Sequence, residues 1–273
     1  MTSPPFHFLL GGHDLEMVEI ALLLREHEVP FSDHGLSWGA SLSHYRSEIA
    51  ALAPTATIPV GVELTDDLPP DAAGRNRVRL IDHHGPSAGA EMPTALEQVF
   101  ALIDAPQTTW TRWRALVAAN DRGHVRELKA CGASDDEIRH IRQADRRAQG
   151  IDAREEAEAR QVLRHARTRG RLTIINAIDD KASAIADFIL PELGGPGYDR
   201  LLVVMPHEVA FFGDGAAIEL LIAAFPQGWY GGALPDHGFF GMRLDEKAKN
   251  LPDFQKHDDI ATCAAKRIED LLC

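Results

Sequence analysis

Cysteine is scarce: three residues in 273, Cys131, Cys263 and Cys273, far apart and with no CxxC pair. That excludes a disulfide framework and a structural zinc site of paired thiolates, and predicts a reducing, cytoplasmic setting. Long apolar runs are missing too. None approaches the ~18 residues of a membrane span, so no membrane partner is expected. The opening "MTSPPFHFLL" has no basic stretch and no small-residue cleavage site, so no secretory signal is expected. Basic residues are in deficit, 28 Lys and Arg against 41 Asp and Glu, for a net charge of −13. Proteins that grip long nucleic acid take most of their affinity from cationic contacts to phosphate, so a long duplex partner is not expected. A small phosphorylated ligand stays open, because bound metal ions can supply the missing positive charge.

What is present is ordinary for a globular protein: 45% hydrophobic and 25% charged residues, in a length that suits one large domain or two modest ones. Histidine is plentiful at 13, and several sit beside acids and glycine, in "GGHDLE", "SDHG", "DHHG" and "PDHG". "FHFLL" (6–10) reads as a buried strand, Gly11-Gly12 as a turn, and "EMVEIALLLREH" (16–27) as an amphipathic helix. "TIPVGVEL" (57–64) and "RVRLI" (77–81) read as strands, "PTALEQVFALID" (93–104) and "WTRWRALVAAND" (110–121) as helices. This alternation predicts a parallel α/β domain over 1–130.

From Ser134 the chain becomes highly charged and loses its β-branched runs, which predicts capped helices broken at Gly150 and ended by Gly170. We read 131–170 as a helical connector whose charges are mostly a solvated, salt-bridged face. A smaller α/β domain over 171–273 is expected to follow. "RLTIINA", "RLLVVM" and "EVAFFG" are its strands, "KASAIADFILPEL" and "GAAIELLIAAF" its helices, and a stretch rich in glycine and aromatics ends in "WYGGALPDHGFFGMRL".

Ligands of open α/β sheets bind beyond the C-terminal ends of strands. Four such places here carry acids or imidazoles: His13, Asp14 and Glu16; Glu63; Asp82, His83 and His84; and, after a helix, Asp121 and His124. Carboxylates with one or two imidazoles suit Mn²⁺, Mg²⁺, Fe²⁺ or Zn²⁺. Each piece has a plainer reading. Asp14 can cap the following helix, Glu63 can be solvated, and Asp121 can close a helix. The case is their conjunction along one α/β unit.

These motifs resemble the DHH phosphoesterase superfamily, which includes exonucleases, oligoribonucleases, cyclic-dinucleotide phosphodiesterases and manganese-dependent pyrophosphatases. Asp82-His83-His84 after an apolar strand looks like the name motif. Asp14-Leu15-Glu16 is similar to its first Asp-x-Asp motif, Glu63 to the acid of the second, and Asp121 in "AANDRGH" to the fourth. "WYGGALPDHG" resembles a divergent form of the glycine-rich substrate loop of the associated C-terminal domain, with Gly231-Gly232 as the loop and His237 displaced. Three positions depart from the pattern. Leu10 stands where the first motif usually has a histidine, with His13 as a substitute, and Glu16 and Glu63 stand where Asp is usual.

The resemblance implies a two-metal phosphoesterase, most simply with Mn²⁺. Asp14 and Glu63 would hold one ion, and Glu16, Glu63, His83 and Asp121 the other. Asp82 would orient His83, and His84 would face the substrate phosphate. Gly231 and Gly232 would admit the substrate to the backbone. Trp229 and Tyr230 offer a base-stacking pair, or simply packing, and Arg122 beside Asp121 reads better as a solvated charge than as a phosphate contact. The expected substrate is a small phosphorylated or nucleotide-type molecule. The alternatives are a metal- or nucleotide-binding protein of altered catalysis, and a metal enzyme with a non-phosphate substrate.

Overall fold

The computed structural model describes residues 6–37, 39–244 and 260–273. The start of the stretch read for a secretory signal and the Cys263 side chain lie outside the described residues. Among the described residues, no helix is long and apolar enough to cross a membrane. The chain divides into two compact units. One comprises 1–83 and 92–121, the other 84–91 and 122–273.

The first unit is built on a fully parallel four-stranded sheet, in the order β2-β1-β3-β4. Its strands are β1 (Phe6–Leu10), β2 (Phe31–Ser32), β3 (Ile58–Val62) and β4 (Arg79–Ile81). Helix α1 (Leu15–Glu26) follows β1, and Asp14 caps it by accepting from the Met17 amide at 2.8 Å. Next come α2 (Arg46–Leu52) and α3 (Ala95–Leu102), the latter opened by a reciprocal Thr94–Glu97 capping box. Leu9 packs with Leu42, Tyr45, Ile49 and Leu64 in one buried cluster. A fully buried leucine of this kind stabilises by about 1.5–3 kcal/mol. In register, Leu10 pairs with Val62 and Val62 with Ile81, so β1, β3 and β4 end level with one another.

Helix α4 (Arg112–Ala130) carries the boundary between the units at Asp121 and Arg122, and its helical backbone is interrupted at Gly123 and His124.

The second unit holds a six-stranded mixed sheet, in the order β5-β6-β7-β8-β10-β9. The strands are β5 (Arg167–Arg169), β6 (Leu172–Asn176), β7 (Arg200–Val204), β8 (Glu208–Asp214), β9 (Trp229–Gly231) and β10 (His237–Arg243). Only β6 and β7 pair in parallel. Along β8, Val209 and Phe211 enter one buried cluster, while Ala210 and Phe212 pack on another. This is the two-residue alternation of a sheet covered on both faces. Helices α5 (Asp135–Ala148), α6 (Ala153–Val162), α7 (Ala182–Phe188) and α8 (Gly215–Ala224) belong to this unit, with a further helix at Ile260–Leu272.

Two separate sheets on either side of the charged stretch match the expected α/β architecture. The expected boundaries shift. Helices α5 and α6 break at Gly150 as read, but they group with the second unit instead of forming a separate connector. Strand β5 lies in what was read as helix, because Gly170 (φ +57°) turns the chain into a hairpin with β6. The glycine- and aromatic-rich stretch forms β9 and β10.

Candidate metal centre

Because β1, β3 and β4 end level, the residues just beyond them meet. Glu63 follows β3 directly, with its amide bonded to the Ile81 carbonyl at 2.8 Å and its backbone in the left-handed region (φ +53°). A non-glycine residue there stores strain, a feature that clusters at functional sites. Gly11 permits the approach. A Cβ at that position would lie 2.5 Å from the Val62 carbonyl oxygen and 2.6 Å from that of Glu63. His83 follows β4, Glu16 stands in the first turn of α1, and Asp121 comes from α4.

Glu16, Glu63, His83 and Asp121 each offer one ligand atom, and these atoms all lie within 4.8 Å of one another. All four residues belong to the first unit. His83 Nδ1 is 3.1 Å from Glu63 Oε1, and its Nε2 is 2.6 Å from Asp121 Oδ2. Glu16 Oε1 accepts from the Leu96 amide in the first turn of α3 at 2.8 Å. Its Oε2 is buried and has no hydrogen-bond partner among the described residues.

The electrostatics follow from this crowding. Burial, then the neighbouring Asp121 and Glu63 carboxylates, raise the Glu16 carboxyl well above its ordinary range, against the pull of His83. Burial opposes charge on His83, but Asp121, hydrogen bonding to Asp121 and Glu63, and the Glu16 charge outweigh it and push the imidazole up to about 12. Three carboxylates therefore gather around a single protonated imidazole. Such a set fits a divalent cation, which would replace protons as the counter-charge. The buried, unpaired Glu16 Oε2 is the observation of this chain that most directly asks for one.

The remaining candidates divide. Asp14 is buried and near enough to Glu16 to act on its charge, while its Oδ1 caps α1. His13 is exposed and outside the four-residue cluster. Asp82 was expected to orient His83. It is exposed, and both ring nitrogens of His83 face Glu63 and Asp121 instead. The cause is the strand-end geometry, which turns alternate residues to opposite sides.

His84 belongs to the second unit, edge-on to Phe239 with ring centroids 6.0 Å apart. A Cβ on Gly231 would meet His84 Cδ2 at 2.8 Å, so the glycine lets that ring lie close. Gly232 (φ +100°) has its Cβ direction closed by the Gly238 backbone at 2.7 Å, which gives it a structural duty in the β9–β10 turn. Trp229 packs over Gly241, whose Cβ position lies 2.4 Å from the indole, and Tyr230 packs on the buried core. That is the packing role for the aromatic pair. His237 opens β10 and is half-buried.

A second buried polar group had no signal in the sequence. Asp187 is fully buried on α7. It accepts from Arg142 Nε at 2.8 Å, from Arg146 Nη1, and from His124 Nε2 at 3.0 Å. Burial opposes its ionisation, but Arg142 and its bonds to His124 and Arg142 hold the carboxyl well below the usual carboxylate range. Its partners are 41 to 63 residues away, which leaves no local pattern to read.

No family model matches the sequence, and no curated protein matches it. Solved structures do. RecJ from Thermus thermophilus in complex with Mn²⁺ matches at 15% identity and a TM-score of 0.47, covering 96% of this chain and 52% of RecJ. The Mg²⁺ complex of the same protein matches at 16% identity and a TM-score of 0.42, covering 95% of this chain and 50% of RecJ. The chain thus spans about half the length of that RecJ. The pGpG-specific phosphodiesterase PggH from Vibrio cholerae matches at 12% identity and a TM-score of 0.36, covering 97% of this chain and 99% of PggH.

Proposed function

We propose that this chain is a divalent-metal-dependent phosphoesterase that hydrolyses a small phosphorylated or nucleotide-type substrate. The observation that carries the reading is the convergence of Glu16, Glu63, His83 and Asp121, two of them fully buried and two half-buried, beyond three level strand ends. Mn²⁺ is the ion of choice, and Mg²⁺, Fe²⁺ or Zn²⁺ would suit the same donors. When bound, such an ion lowers the pKa of a coordinated water and offsets charge on phosphoryl oxygens.

The chain's own residues do the rest. The Leu96 amide fixes Glu16 through Oε1 and leaves Oε2 as a donor to the ion. Glu63 and Asp121 hold the His83 ring between them, so its orientation is set before an ion arrives. Asp14 is the further carboxylate for a second ion. His84 is assigned to the substrate phosphate as a hydrogen-bond donor or general acid, Asp82 to the surface beside it, and the Gly231-Gly232 turn and His237 to substrate contact. A cytoplasmic setting is part of this reading, supported by three scattered cysteines with no CxxC pair.

One observation favours a second reading, a metal- or nucleotide-binding protein without hydrolysis. Leu10, where the superfamily motif usually has a histidine, is a fully buried apolar side chain. Metal content after Mn²⁺ loading, together with phosphate or nucleotide release from a panel of dinucleotides, short oligonucleotides, nucleoside phosphates and pyrophosphate, separates the two. Stoichiometric metal with no release on any substrate selects the binding protein. Failure to retain metal removes the phosphoesterase and leaves only nucleotide binding without a metal.

A further inference from the structure

Helix α1 buries acids as well as apolar side chains. Glu16, Glu19, Leu23 and Glu26 recur at three- and four-residue spacing, so they share one stripe of the helix. Glu16, Glu19 and Leu23 are buried, and the Glu26 side chain is exposed. On α4, Arg114 and Asp121 stand seven residues (121 − 114), or about 10 Å, apart on one face, with the buried Val117 and Ala118 between them. The two stripes meet in two places. Asp121 joins Glu16 in the metal cluster, and Arg114 joins Glu19 and Glu26 further along α1. All of these residues belong to the first unit.

The two meeting places have opposite electrostatics. In the cluster, the Asp121 charge adds to burial in disfavouring a charged Glu16, so like charges push the helices apart there. At the other place the buried Arg114 donates from Nε to Glu19 Oε1 at 2.9 Å, from Nη2 to Glu26 Oε2 at 2.7 Å and from Nη1 to the Thr109 carbonyl at 2.6 Å. Trp113 Nε1 donates to the other Glu19 oxygen, Oε2, at 2.9 Å. Both oxygens of one buried residue of α1 are thus held by two successive residues of α4. Successive residues point about 100° apart around a helix, so this pair of bonds sets the rotation of α4 as well as its distance from α1. A buried ion pair adds little net stability, because desolvation offsets most of its attraction. What this one supplies is direction.

We propose that Arg114 and Trp113, acting through Glu19, are positioning residues that set where α4 delivers Asp121 to Glu16 and His83. Arg114, Trp113 and Glu19 are themselves outside the four-residue cluster. The leverage is large. A rotation of α4 by about 20° swings a side-chain tip, roughly 5–6 Å from the helix axis, through about 2 Å. A metal ligand tolerates only about 0.2 Å of error in its distance. That Asp121 is placed for a metal rests on the function proposed above. That it is placed against His83 does not.

The test uses the full chain labelled with ¹⁵N-histidine and takes two readouts. One is the signal of His83 Nε2, which stands 2.6 Å from Asp121 Oδ2, in chelator-treated protein. The other is the Mn²⁺ dissociation constant. Trp113→Phe removes one N–H donor from a half-buried ring. Arg114→Lys keeps the charge and loses the fork of donors. Both variants are measured well below their melting temperatures. Each is expected to shift the His83 signal and to weaken Mn²⁺ binding about tenfold, the lower end of what an outer partner of a metal ligand is worth. If Arg114→Lys does not fold, Trp113→Phe carries the test. A wild-type His83 signal and wild-type Mn²⁺ affinity in every folded variant, whatever its melting temperature, would make these bonds fold-holding only and overturn the inference. If the unmutated chain itself retains no Mn²⁺, the metal-centre reading fails and the His83 signal alone decides. A shift then upholds the positioning of Asp121, and no shift overturns it.

Discussion

His83 Nε2 stands 2.6 Å from Asp121 Oδ2, across 38 residues of chain (121 − 83) that pass through the second unit and back. The imidazole is clasped on its other side by Glu63, so in the absence of metal its proton serves as the counter-charge for the surrounding carboxylates. A raised folded-state pKa means that the protonated form contributes stability fully present below the ordinary value of 6.5 and lost as pH climbs toward about 12. A metal that uses His83 must therefore expel this proton. We expect Mn²⁺ binding to release at least one proton near neutral pH, and its apparent affinity to rise with pH. Calorimetry in buffers of different ionisation enthalpy reads the proton count. A count of zero would remove His83 from the ligand set.

Gly11 tests whether the meeting of strand ends matters. A methyl group there would press on the Val62 and Glu63 carbonyls. Gly11→Ala should cost about 1–3 kcal/mol by overpacking. By displacing Glu63 it should also weaken Mn²⁺ binding out of proportion to that loss. Urea unfolding beside a metal titration checks both. Intact metal affinity in a destabilised variant would confine Gly11 to packing.

Some of this was legible in the sequence and some was not. The Glu63, His83 and Asp121 candidates could be seen because each sits at the end of a strand or helix with clear periodicity, and element ends are where α/β sheets bind ligands. The two readings of Asp14, cap and ligand, were both visible, and the cap is realised. The Glu16–Leu96 bond was invisible because it joins residues 80 apart. The exposure of Asp82 and His13 depends on strand register, which no local pattern encodes. The assignment of 84–91 to the second unit splits the Asp82-His83-His84 motif between two compact units, and a tripeptide carries no hint of that.

Asp187 should dominate acid stability. Its carboxyl is depressed, so its contribution is present above the ordinary 3.8 and is lost as pH falls through the lower folded-state value. Asp187→Ala takes the shared carboxylate from two buried guanidinium groups, leaving Arg142 with Asp145 and Arg146 with Glu156, and should cost no more than about 3–5 kcal/mol at neutral pH. The gap between wild type and Asp187→Asn should narrow toward pH 2. Denaturation curves at pH 7 and pH 3 decide it, and a gap that widens in acid would contradict the assignment.

His124 inverts a familiar rank order. In an ordinary helix interior, alanine is about 1 kcal/mol better than glycine. At φ +58° and ψ −145° only glycine is relaxed, and other residues carry roughly 1–3 kcal/mol of strain. Both His124→Gly and His124→Ala lose the ring and its bond to Asp187, so their difference isolates the backbone. His124→Gly should be the more stable by about 1 kcal/mol or more. An alanine variant that equals or exceeds it would mean that α4 is continuous through residue 124.

Glu16→Gln separates a metal centre from a merely structural buried acid. Burial and like charges already favour the neutral carboxyl in the metal-free protein. Replacing it with a neutral amide of the same shape therefore removes repulsion, and Oε1 can remain as an amide oxygen accepting from Leu96. The metal-free variant should unfold at the same temperature as wild type or higher. With Mn²⁺ the order should reverse. The variant has lost a charged donor that the ion requires. Removing even an outer partner of a ligand typically costs 10–100-fold, so a loss of at least about tenfold in affinity is expected. The readout is the melting temperature with chelator and with excess Mn²⁺, for both proteins. If Glu16 is structural, the two conditions give the same difference between wild type and variant. If it is a ligand, only wild type gains strongly from the ion, because stabilisation by a bound ligand grows with the ratio of its concentration to its dissociation constant.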